Sequence, residues 1–172
     1  MPEELSDADP IDLLDRVFEL LGTVDDSELL RELHDSQASS DSAWTESPPW
    51  VLCIEDDADF SLALKLKLEQ HGVAVVRATE GVEGVNQAIT RPADAILLDF
   101  NLPNGRGDYV LRRLKRNPVT RDIPVIVVTG VRDQKLEREM LQLGAAGFFT
   151  KPLDFQQLRD ELKKHIDILV TP

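Results

Sequence analysis

The stretch "ADAILLDFNLPNGRG", residues 93–107, decides the fold. Within it Ala95 to Leu98 form a short continuous apolar run that stops at Asp99, with Pro103, Gly105 and Gly107 close behind. A brief apolar run bounded by turn formers predicts a strand buried on both faces. Asp99 then stands where that strand leaves the core, and open α/β sheets build their sites at the carboxyl ends of their strands.

The same pattern continues on both sides of this strand. "VLCI" (51–54) predicts a strand, followed by a helix on which Phe60, Leu64 and Leu68 share a face and which Gly72 ends. "VAVVRA" (73–78) predicts a second strand and Gly81 to Thr90 a short helix. Tyr109, Val110, Leu111 and Leu114 mark a third helix, which Asn117-Pro118 should stop. Then come a strand at "IPVIVVTG" (123–130), a helix over 132–142, a strand at "GFFTK" (147–151) and a helix over 154–168. Five strands alternating with five helices imply right-handed crossovers, a doubly wound parallel sheet and helices on both faces, an α/β fold.

Composition narrows the class. With 172 residues, 42% hydrophobic and 30% charged, the chain has room for one well-cored domain and a short appendage, and no apolar run suits a membrane span. A lone cysteine, Cys53, inside an apolar run fits a reducing cytoplasm. The formal charge of −13 argues against nucleic acid or an anionic membrane as partner. That charge is concentrated: residues 1–50 carry fourteen acids against two arginines, whereas residues 51–172 carry eighteen acids and seventeen bases.

In a parallel sheet the strand ends share one edge, so residues distant in sequence meet there. The first strand delivers Glu55 and Asp56, with Asp57 next; the third delivers Asp99, the fourth Thr129 and the fifth Lys151. Carboxylates packed together repel and need a compensating cation. Hard oxygen ligands with room for water and a phosphoryl oxygen suit Mg²⁺, while zinc is disfavoured by the lack of a Cys/His cluster. A carboxylate beside Mg²⁺ can attack phosphorus, with a lysine ammonium and a hydroxyl offsetting charge on the equatorial oxygens.

This set of residue types at successive strand ends resembles the receiver domain of two-component response regulators, over about residues 51–168. The resemblance implies a five-stranded sheet of flavodoxin-like order 2-1-3-4-5. It implies Asp99 as phosphoacceptor, with Thr129 and Lys151 completing the reactive set. Glu55, Asp56 and Asp99, with the backbone carbonyl of Asn101, would hold Mg²⁺, Glu55 largely through water. Thr129 and Phe148 would form the switch, and Lys151-Pro152 matches the family's Lys-Pro, whose bond is usually cis. Gly130 and Val131 depart from the family's commonest residues after the threonine, which bears on phosphoryl lifetime. Such a protein accepts phosphate stoichiometrically, with self-catalysed transfer and hydrolysis, and is not an enzyme acting on a separate substrate. The implied partners are a sensor histidine kinase or phosphotransfer protein and a downstream protein effector, since little chain remains after Lys151 for an output domain.

Other readings fare worse. A dehalogenase-type phosphohydrolase needs a second aspartate two residues after the nucleophile, where Asn101 stands. Neither Gly81/Gly84 nor Gly105/Gly107 makes a dinucleotide fingerprint. His34 lies on a helix too short for a phosphotransfer bundle.

Ahead of the receiver-like part (50–172) lie a Ser/Pro-rich linker (36–49) and an acidic extension (1–35). In the extension the pattern predicts a helix with Asp9 as its cap, Pro10 at its first position and Ile11, Leu14, Phe18 and Leu21 on one face, and a second marked by Leu29, Leu30 and Leu33. Helices this short need a surface to pack on. That surface is a second copy, giving the homodimer expected through these helices, or the basic cluster around the third helix, Arg106, Arg112, Arg113, Lys115, Arg116 and Arg121, or a partner protein, with disorder of the acidic segment as the alternative.

Overall fold

The computed structural model describes residues 48–168. The two helices predicted for the N-terminal extension, the homodimer expected through them, His34 and most of the linker lie outside the described residues. No helix among the described residues is long and apolar enough to cross a membrane.

A parallel sheet is built from β1 (Trp50–Ile54), β2 (Ala74–Ala78), β3 (Ala95–Leu98), β6 (Val125–Thr129) and β7 (Gly147–Thr150), in the order β2-β1-β3-β6-β7. Leaving aside the small hairpin described below, this is the expected 2-1-3-4-5 order. In register, Ile54 lies beside Leu98 and Ala78, so the C-terminal ends of β1, β2 and β3 are level. The helices are α1 (Ala58–Glu69), α2 (Gly81–Thr90), α3 (Gly107–Arg116), α4 (Gln134–Gln142) and α5 (Phe155–Leu162).

Strand alternation sorts the core into two layers. Leu52, Ile54, Ile96, Leu98, Val125 and Val127 pack in one cluster with residues of α2, α3 and α4. Val51, Cys53, Ala95, Leu97, Ile126 and Val128 pack in the other with Leu64 and Leu68 of α1 and Leu158 and Leu162 of α5. Because both faces are covered, β1, β3 and β6 are buried along their whole length.

The differences from the sequence reading are local. Between β3 and α3 the chain makes an antiparallel hairpin, β4 (Asn101–Leu102) and β5 (Gly105–Arg106), with Pro103 and Asn104 at its turn. β6 starts at Val125, because Pro124 has no N–H for a ladder and contributes its carbonyl to Ile96 instead. α4 begins at Gln134 with Asp133 as its cap. α5 ends at Leu162, where Lys164 N–H bonds Glu161 O and His165 N–H bonds Leu162 O, tightening the chain into turns. Ile166 nevertheless stays buried, continuing the Leu158–Leu162 stripe.

Candidate functional site

The three central strands are apolar until they end, and then three buried polar residues follow: Glu55 after β1, Asp99 after β3 and Thr129 at the end of β6. Ladder bonds fix the two acids, since Glu55 N–H donates to Ala78 O and Asp99 N–H to Ile54 O. Lys151, one residue past β7, is tied to β6 by its N–H bond to Thr129 O at 2.7 Å. The Lys151-Pro152 bond is cis.

These positions converge on one ammonium. Lys151 Nζ donates to Glu55 Oε2 at 2.7 Å and to Asp99 Oδ2 at 2.9 Å. It also lies 4.2 Å from the centre of the Phe60 ring, whose face favours a cation. The second oxygens are engaged by backbone: Asp57 N–H donates to Glu55 Oε1 and Asn101 N–H to Asp99 Oδ1. Burial pushes the Glu55 carboxyl above its ordinary range, against the lowering pull of the Lys151 bond. Burial alone would lower Lys151, but its bonds to Asp99 and Glu55 prevail and raise it.

Asp56 is exposed, and its carboxylate completes a group with Glu55 and Asp99 in which one oxygen from each lies within 4.8 Å of the others. Asp57 stands apart chemically. It caps α1, accepting from Asp59 N–H and Phe60 N–H, and the Phe60 bond foremost lowers its carboxyl. Thr129 is fully buried, and its Oγ1 accepts the Val131 N–H at 3.3 Å, so the hydroxyl is held by the loop that follows it. Phe148 is half-buried beside the cluster that contains Val127, its register partner across the sheet.

The description "Response regulator receiver domain" matches residues 51–163, two thirds of the chain. The chain belongs to the response regulator receiver domain family. It is 35% identical over 113 residues to the phosphate regulon transcriptional regulatory protein PhoB of Escherichia coli, covering 66% of this chain and 49% of that protein. The chain thus spans about half the length of such curated relatives. A putative response regulator from Chloroflexus aurantiacus superposes with a TM-score of 0.65 at 28% identity, over 68% of this chain and 96% of that one. The receiver domain of the sensor histidine kinase PA1611 from Pseudomonas aeruginosa does so at 0.63 and 25% identity, over 69% and 97%, and has a magnesium ion coordinated in its active site cleft.

In this receiver domain the sequence reading brought Glu55, Asp56, Asp99, Asn101 and Lys151 to one place, and the structure has them together. It missed two neighbours. The helical spacing puts Phe60 on a face with Leu64 and Leu68 and gives no sign that its ring also backs the Lys151 ammonium. Arg77 went unnoticed; a single arginine inside the apolar run "VAVVRA" was the available signal. The basic cluster is also less free than its spelling suggests. Lys115 Nζ donates to the carbonyls of Arg121 and Ile123, and Arg106 pairs with Asp108 while lying over the Phe100 ring.

Proposed function

We propose that this receiver domain is the phosphoacceptor of a two-component relay, with Asp99 taking a phosphoryl group from a histidine kinase or phosphotransfer protein. The observation that carries the reading is the meeting of Glu55, Asp56 and Asp99 within 4.8 Å, opposite the Lys151 ammonium. Three carboxylates exceed what one ammonium neutralises, and an all-oxygen donor set with one exposed member fits Mg²⁺. Glu55, Asp56, Asp99 and the Asn101 carbonyl would hold the ion. When bound, Mg²⁺ would offset charge on the phosphoryl oxygens and on the nucleophile.

The chain's own groups divide the remaining work. An Asp99 carboxylate oxygen forms the new O–P bond as the P–N bond of a phosphohistidine breaks, and the imidazole leaves with the electron pair and takes a proton from water. Lys151 already touches Asp99 Oδ2 and is within reach of an oxygen of the incoming group. The Asn101 N–H bond to Oδ1 fixes the plane of the carboxylate. Thr129 exchanges its bond with Val131 for one to the phosphoryl group, which draws the loop after β6 inward. Phe148 then turns further into the core and remodels the surface read by a downstream protein. On this reading the protein is consumed and regenerated stoichiometrically in the cytoplasm, binding no nucleic acid directly.

Incubation with acetyl phosphate and Mg²⁺, followed by intact-mass measurement, should add one phosphate to the wild type, and none to it when EDTA is present. Asp99→Asn should gain none under either condition. Equal labelling of Asp99→Asn would overturn the assignment.

A further inference from the structure

Arg77 lies on β2 two residues after Val75, so strand alternation puts its side chain on the α1 side of the sheet, while Val76 faces outward. From there the guanidinium reaches across the end of β1. Its Nε donates to the carbonyl of Glu55 at 2.9 Å, and its Nη2 donates to the carbonyl of Asp56. These are successive peptides, and they carry two of the three clustered carboxylates. Neither bond uses a carboxylate oxygen, in contrast to Lys151, which occupies Glu55 Oε2 and Asp99 Oδ2.

We infer that Arg77 is a positioning residue for the divalent cation, its planar fork fixing the Glu55 and Asp56 peptides and thereby the point at which their side chains meet the ion. The inference rests on the reading of this cluster as a Mg²⁺ site. Two effects of the arginine oppose each other. Its positive charge repels a nearby cation, whereas its two hydrogen bonds preorganise the acids that bind it. Metal sites commonly lose 10–100-fold in affinity when such supporting contacts are removed, and the fork cannot be reproduced by a single ammonium.

Calorimetric titration of Mg²⁺ into wild type, Arg77→Gln and Arg77→Lys separates the two effects. Positioning predicts that both variants bind about tenfold more weakly or worse, even though Arg77→Gln has lost a repelling charge. If charge is all that matters, Arg77→Gln binds more tightly and Arg77→Lys matches the wild type, and the inference falls. Circular dichroism monitors folding, and should Arg77→Gln fail to fold, Arg77→Lys decides the matter by itself. A wild type that binds Mg²⁺ while Arg77→Lys equals it defeats the role of Arg77 and leaves the site reading intact. A wild type that takes no Mg²⁺ defeats both.

Discussion

Along β1, β3 and β6 the interior and the C-terminal end of each strand obey opposite rules. The interiors are apolar and fully covered, with the sheet's buried side chains split between two helix layers. One step further along, Glu55, Asp99 and Thr129 are nearly as deeply buried, yet they are polar. The interior is held by area and shape, and so is indifferent to pH and sensitive to volume. The end is held by one ammonium and a few backbone N–H groups, and so is sensitive to charge. Stability and chemistry are therefore separable by substitutions a single residue apart.

The largest effect on stability is expected in the interior. Ile96→Ala empties a fully buried position in the middle of β3 and should cost about 2–5 kcal/mol in urea unfolding. The folded fraction should still accept phosphate at Asp99, three residues on. Loss of phosphorylation in protein shown to be folded would mean that the strand's interior and end are not separable.

Lys151→Ala probes the other regime. It leaves two buried carboxylates facing each other, and at pH 7 the loss should be about 2–3 kcal/mol. That is short of the ~3–5 for a fully buried pair, because the Lys151 side chain is 21% exposed. The pH dependence follows from the raised folded-state pKa. The contribution of Lys151 is complete below the ordinary lysine value of 10.5 and is lost as pH rises through the higher folded value. Wild type should therefore lose stability in that alkaline window more steeply than Lys151→Ala. Glu55 acts with the same sense at the acid end. Its carboxyl is raised by burial, so protonation favours the fold, and the penalty of Lys151→Ala should shrink as pH falls from neutral towards 4.5. Parallel curves for the two proteins at both extremes would show that the ion pair contributes nothing.

The contrast also explains what could be read from sequence. A buried strand announces itself through uninterrupted apolar residues, and its end through the first charge, so Asp99, Glu55 and Lys151 were legible as strand-end residues. The hairpin of β4 and β5 was not, because two-residue strands have no periodicity to detect; the Asn104-Gly105 pair was its trace. The stop of α5 was overrun for a related reason. Leu158, Leu162 and Ile166 keep helical spacing, and spacing reports the buried face rather than where the hydrogen bonds cease. The role of Arg77 and the partners of Lys115, which the sequence places only in a basic cluster, are not legible because both side chains donate to backbone carbonyls, which every residue possesses and no residue type advertises.

Two glycines beside the site sharpen the comparison, and the smaller effect is the more telling. At Gly107 a Cβ would sit 2.7 Å from Asp99 O and from Phe100 Cα, backbone atoms that cannot turn aside. Gly107→Ala should cost about 1–3 kcal/mol and slow phosphorylation, since the strain falls on the peptide that carries Asp99. At Gly130 the same added carbon meets nothing within 4 Å, and no positive φ holds the residue. Gly130→Ala should therefore leave the native contacts unchanged and gain about 0.4–1 kcal/mol by restricting the unfolded chain. Gly130 follows Thr129, whose hydroxyl already bonds Val131 N–H across it, so the loop's folded path suits an alanine. If the loop must bend differently once Asp99 is phosphorylated, the stiffer alanine will show it. Its gain in stability, measured by urea unfolding, would then be present in the unphosphorylated protein and smaller in the phosphorylated one. An equal gain in both states would mean that the backbone at Gly130 takes the same path in each, and that the switch at Thr129 operates through its side chain alone.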